Sequence, residues 1–139
     1  NYIRSGSKWQ TIEDNVKRFR EKNIKIIFYY ILQHTSLFTF RSVYEYCVKH
    51  DIELSIGEIY DGSVDGSGHL TLSSADQNDV KHFKEWLATV NSPQVKVVDN
   101  WLKKYKFDHA LHTRFKQYFK MLDSVRGTNF VKTFNPSWA

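Results

Sequence analysis

Arg4, the pair Gln33-His34, and Glu58 with Tyr60 are the residues of this chain whose types and places suit binding chemistry. An arginine guanidinium holds a carboxylate or phosphate through two parallel hydrogen bonds. Gln33 and His34 offer donors and acceptors to a polar ligand, and the Glu58 carboxylate accepts from one. Their positions give them weight. Gln33-His34-Thr35-Ser36 follows the apolar run 24–32, and Gly57-Glu58-Ile59-Tyr60-Asp61 follows the alternating Ile52, Leu54 and Ile56. Both read as carboxyl ends of strands, which is where parallel α/β proteins bind ligands. Arg4 precedes a helix and falls on the same side if a strand ends just before Asn1.

The elements that must position these residues follow from periodicity. Trp9, Ile12, Val16 and Phe19 recur at helical spacing behind a Ser7–Gln10 capping box, which predicts an amphipathic helix over 8–22. The near-continuous apolar run 24–32 predicts a strand buried on both faces. Residues 35–39 read as a short loop. Phe40, Val43, Tyr44, Cys47 and Val48 then mark one face of a helix ending near His50, and 52–56 reads as a second strand. Strand, helix, strand makes one βαβ unit, expected to be parallel and right-handed. The helix at 8–22 implies a further strand upstream of Asn1, the pattern of a cut (β/α) barrel or doubly wound sheet.

After a Gly-rich turn at 61–68 and a short strand expected at 69–73, the character changes. Ser73 or Ser74 is expected to cap a helix with Val80, Phe83, Leu87 and Val90. Ser92-Pro93 starts another with Val95, Val98 and Leu102. Asp108 caps a long helix with Leu111, Phe115, Phe119, Leu122 and Val125, closed by Gly127. The chain therefore divides into an α/β part, 1–74, and a helical extension, 75–139.

Composition narrows the function classes. A hydrophobic fraction of 41% and an aromatic fraction of 16% belong to a chain that buries a core. No apolar run approaches the roughly 18 residues of a membrane span, so no membrane partner is expected. One cysteine, Cys47, excludes an internal disulfide and a cysteine-built metal site, and fits a reducing cytoplasm. It lies among Val43, Tyr44 and Val48 and reads as a small core residue.

The net charge of +5 is uneven: residues 1–78 hold 9 basic and 10 acidic side chains, and 79–139 hold 11 and 5. The basic half is either a set of solvated helix faces or the site of an anionic partner, a nucleic acid or an acidic protein surface. Trp101, Lys103, Lys104, Tyr105, Lys106, Arg114, Lys116 and Lys120 interleave aromatics with positive charge, as single-strand binders do. Asp61 to Gly66 imitates the start of a calcium loop, but Leu72 stands where the bidentate Glu belongs. His109 and His112 share a helix face without a third ligand at metal spacing. No nucleophile elbow, phosphate loop, dinucleotide fingerprint or triad pattern is present.

The line Tyr2-Ile3-Arg4-Ser5-Gly6-Ser7-Lys8-Trp9, with Ile12, Glu13 and Asn15 behind it, resembles a segment of radical S-adenosylmethionine (radical SAM) enzymes. It looks most like the twitch-domain type common in phage and environmental sequence. Leu32-Gln33-His34 is similar to that group's next strand end, and Val43-Tyr44-Glu45-Tyr46-Cys47 to the helix after it. The stretch 69–75 leading into Asp79-Val80-Lys81, and the stretch 122–130 with Phe134 and Pro136, also resemble it.

The resemblance implies a partial (β/α)6 barrel, of which this chain is the second half plus a helical extension. It also implies S-adenosylmethionine and a [4Fe–4S] cluster in the parent protein. Three cysteines spaced by three and then two residues hold that cluster, and they are absent here. By implication Arg4 binds the cofactor carboxylate, Gln33 and His34 face cofactor or substrate, and Glu58 and Tyr60 lie on the substrate side, although the Gly-rich turn departs from the group's pattern. The parent cleaves the cofactor reductively and abstracts hydrogen from a substrate the sequence does not identify. The chain alone is expected to be inactive, to lack its partner half, and to be marginally stable or to aggregate along its apolar strand.

Overall fold

A computed structural model describes residues 8–59 and 67–139, and shows a mixed α/β protein. Helix α1 is Trp9–Glu21, strand β1 Ile27–Leu32, helix α2 Ser36–Lys49 and strand β2 Glu53–Glu58. Two 3-10 turns, Ser67–Leu70 and Leu72–Ser74, lead to α3, Gln77–Leu87. A third, Pro93–Val95, runs into α4, Lys96–Lys103; α5 is His109–Arg126 and α6 is Phe130–Phe134.

β1 and β2 pair in parallel, with Tyr30 opposite Ile56 and Ile31 opposite Gly57. The expected βαβ unit is therefore present. Among the described residues β1 pairs with β2 alone. Period-2 alternation sorts the strand onto two faces. Phe28, Tyr30 and Leu32 turn toward the helices with Leu54 and Ile56 of β2. There Phe28 stacks near Tyr46, and the Tyr30 ring meets Phe40 edge-on at 5.3 Å. The opposite face is open: Ile27, Tyr29 and Ile31 are 51%, 70% and 48% exposed. The expectation of a strand buried on both faces is thus corrected, because among the described residues helices pack on one side of β1 only. The strand also starts at Ile27 and not at Ile24.

The main core joins that inner sheet face to Val16 of α1, Phe40 and Cys47 of α2, Phe83 and Leu87 of α3, and Val98 and Leu102 of α4. It crosses the expected boundary at residue 74. A second, smaller cluster gathers Phe115, Phe119 and Phe130 with Phe38, Tyr118, Leu122, Phe134 and Trp138. Asp79 of α3 holds the chain end against it: one carboxylate oxygen accepts from both the Ser137 N–H at 2.9 Å and its hydroxyl at 2.6 Å.

Local capping was legible where the cap is the last polar residue before a helix. Asp108 accepts from the Leu111 N–H at 3.0 Å, Ser92 from Gln94, and Gly127 closes α5 at φ 64°, a left-handed position that suits glycine. Three local expectations are corrected. Helix α2 starts at Ser36, inside the expected loop, because the Ser36 hydroxyl bonds back to the Gln33 N–H at 2.9 Å while Phe38 is drawn into the second cluster. The stretch 69–73 forms 3-10 turns in place of a strand, since its main chain bonds locally and to β1's exit: Thr71 N–H to Gly68 O, and Leu70 O from the His34 N–H. Asp76, and neither Ser73 nor Ser74, caps α3, accepting from the Asn78 N–H at 2.8 Å. At α1 the cap position is Lys8, without a side-chain bond, and the Ser7 of the expected capping box lies outside the described residues.

Candidate functional site at the carboxyl ends of the strands

Of the five site residues read from the sequence, Arg4 and Tyr60 lie outside the described residues, as do Asp61 and Asp65 of the calcium-like turn. Gln33, His34 and Glu58 stand at the carboxyl ends of β1 and β2, which the Ile59 N–H ties together by donating to Leu32 O at 3.1 Å. They do not form one pocket. His34 bonds the Ser74 hydroxyl in the interior, whereas Glu58 borders a cleft with Thr71, Leu72 and Ser73 that does not include His34.

Glu58 closes β2 and accepts from Lys104, the residue that follows α4, at 2.7 Å. It borders a cleft of about 250 Å3 shared with Thr71, Ser73, Trp101 and Tyr105. The Tyr105 hydroxyl donates to Ala75 O at 3.0 Å, and burial, with Asp76 and Asp79 nearby, pushes its pKa up to about 12. At neutral pH the phenol is a fixed donor with no role as a base. A mixed cleft of this kind, one ion pair beside two aromatic rings, is suited to hold a small polar ligand by orientation. Gln33 is half-buried, and its own N–H donates to Ser36.

His34 is fully enclosed. Its Nδ1 lies 2.8 Å from the Ser74 hydroxyl, and its ring stacks on Phe115 of α5 with 3.5 Å between centroids. Burial, and then the charge of His112, hold its pKa well below the usual histidine range. As placed, the imidazole presents no atom to a ligand at the strand end. Although Ser74 and His34 form a serine–histidine pair, the hydroxyl donates to Thr71 O at 2.8 Å and both residues are 0% exposed, so the pair is structural.

His112, grouped with His109 by sequence, parts from it in space. His112 is buried with Nδ1 at 2.8 Å from Ser74 O, whereas His109 is exposed. In the sequence Lys104 and Tyr105 read only as part of the basic aromatic stripe, His112 as half of a metal-like pair and Ser74 as a possible cap; none read as a partner of Glu58 or His34. His112 was recoverable, since it shares the i, i+3, i+7 face of Phe115 and Phe119; Ser74 carried no such signal. A larger groove of about 460 Å3 at the other end of the sheet is lined by Arg20, Lys25, Asp51 and Glu53. There Lys25 pairs with Glu53 at 2.7 Å, and Arg20 donates to Asp51 O.

The residues present do not hold an iron–sulfur cluster. The one thiol, Cys47, is buried on α2, and burial raises its pKa to about 11, the opposite of a thiolate ligand. Among the described residues no group of three His, Cys, Asp or Glu side chains could hold a metal ion, and no helix is long and apolar enough to cross a membrane. Compared with known proteins, the chain matches no family model, no curated protein and no solved structure. The resemblance to radical SAM enzymes therefore stands on its residues alone.

Proposed function

We propose that this chain is the second part of a partial (β/α)6 barrel of the radical SAM type, in which further strands cover the open face of its sheet. The observation that carries the reading is the row Ile27, Tyr29 and Ile31, about half to two-thirds exposed on a parallel strand without a charged residue. Parallel sheets occur almost wholly with both faces covered, and a lone strand pair is marginal by itself. In a barrel this row faces the interior. Gly57 makes room for it, since a Cβ there would come within 2.5 Å of the Tyr29 hydroxyl.

A cluster held by thiolates outside this chain would supply the reductive chemistry of the parent protein. The chain's own part is positioning. Arg4 would take the cofactor carboxylate, Gln33 stands at the end of β1, and Glu58 with Tyr60 would serve the substrate side. Sequencing the coding DNA upstream of Asn1 tests the proposal. The expected result is an open frame of strands and helices with the spaced cysteine triplet; a start codon at Asn1, or an upstream frame without that triplet, overturns it.

A second reading, a non-catalytic α/β module binding nucleic acid or an acidic partner, is favoured by one observation. Lys116 sits 4.7 Å from the Trp138 ring centroid on α5, where neither it nor the exposed Arg114 and Lys120 forms an ion pair among the described residues. It predicts binding to single-stranded DNA that weakens steeply with salt.

A further inference from the structure

Ser74 links α5 to the βαβ unit from both sides. Ser74 engages His34 with its hydroxyl and His112 with its carbonyl, both at 2.8 Å. The proton positions follow from donor counting. The Ser74 hydroxyl has one hydrogen and donates it to Thr71 O, so it accepts from His34. His34 therefore carries its proton on Nδ1, and its Nε2 is a bare lone pair. That nitrogen is buried and has no hydrogen-bond partner among the described residues.

Among the described residues no carboxylate is seen to face the ring: Phe115 of α5 lies flat on it, Phe38 of α2 lies 6.2 Å away, and the Leu70 carbonyl of the first 3-10 turn accepts from the His34 N–H. The ionisable neighbour whose charge acts on it is His112, which opposes a second positive charge. His69 on the same 3-10 turn has its ring against Tyr118 of α5. A proton on Nε2 would thus be a desolvated charge without an acceptor, a state proteins avoid by moving the group to water. His34 reaches water only by leaving Phe115 and Ser74.

We propose that His34, Ser74 and His112 form an acid-sensitive clasp, which holds α5 and its aromatic cluster on the βαβ unit at neutral pH and releases them together on acidification. The cluster of Phe115, Phe119 and Phe130 is separate from the main core, so it can open as a unit while the sheet-side core stays closed. The inference is independent of the radical SAM reading.

The test is amide hydrogen exchange across the intact chain from pH 7.5 to 4.5, corrected for intrinsic rates. It is done on wild type and on His34→Phe, which keeps a planar ring without a titrating nitrogen. In wild type, α5 amides lose protection by up to tenfold per pH unit below about 6.5, the linkage limit for one proton, while β1 and α3 amides hold theirs. In His34→Phe the pH dependence disappears. Protection of α5 that is flat in wild type, or that falls equally in His34→Phe, overturns the proposal. Should that variant fold poorly, the wild-type imidazole NMR signals decide. Loss of the His34 Nδ1–H signal in step with α5 opening supports the clasp, and titration of His34 near pH 6.5 with α5 still protected overturns it.

Discussion

The sheet-side core and the α5–α6 cluster differ in how they are tied together. In the first, Leu32, Phe40, Leu54, Phe83 and Leu102 meet across elements that also share a strand ladder, and polar groups lie at its rim. The second is almost wholly aromatic: Phe115 and Phe119 stand 4.5 Å apart, Phe130 meets both, and Trp138 stacks near Phe130. It is fastened to the rest by a few long-range polar bonds: the Ser74 joint, the Asp108 N–H to Ser73 O, and Asp79 to Ser137. Apolar contacts lose little when water enters the rim. A buried polar joint fails when one partner changes charge or is removed, because the other is left desolvated. The contrast teaches that the two halves of one small chain can respond to different stimuli, bulk denaturant for one and proton activity for the other.

The largest effects should come from emptying either cluster. Phe40→Ala and Phe115→Ala are each expected to cost about 3–5 kcal/mol. In urea unfolding, Phe40→Ala should lower the whole transition, whereas Phe115→Ala should split it, with α5 helicity lost before Cys47 becomes reactive. That thiol, raised to about 11 and buried, reports opening of the sheet-side core. A single shared transition in Phe115→Ala would break the comparison.

Asp79→Ala removes the acceptor of both Ser137 bonds and should cost about 1.5–3 kcal/mol, as for hydrogen bonds to a charged group. Trp138 fluorescence should shift toward solvent, with the signals of β1 and β2 unchanged.

Acid should act next. Burial holds the folded-state pKa of His34 below its unfolded value near 6.5, so the unfolded chain binds the proton first as pH falls. The stability from this group is whole above about pH 6.5. Below it, stability declines by up to about 1.4 kcal/mol per pH unit until the folded form itself takes the proton. Urea midpoints of wild type and His34→Phe measured from pH 7.5 to 5 should diverge in that direction.

The smallest effect belongs to the open face. Tyr29→Lys should change stability by less than about 0.5 kcal/mol, as for an exposed position. Sedimentation should show less self-association, because the substitution places a charge in an apolar row. A large destabilisation would mean that the open face is part of the folded core.

Much of the architecture was legible in the sequence. The βαβ unit, the Ser92-Pro93 start of the segment leading into α4, and both ends of α5 rest on spacing and on caps that act within four residues. The site was less legible. Gln33 and Glu58 were placed correctly at strand ends, but Glu58's partner Lys104 comes from 46 residues away.

What the sequence by itself determined, then, is the local part: which segments coil or extend, where they stop, and that one thiol cannot hold a cluster. The tertiary structure alone decided which face of β1 is covered, that 69–73 turns where a short strand was expected, and that His34 lies inside the protein. The physical reason is range. Helix periodicity and capping are fixed by neighbours in the chain, whereas the charge and exposure of His34 depend on Ser74 and Phe115, brought to it from 40 and 81 residues away by the packing of α5.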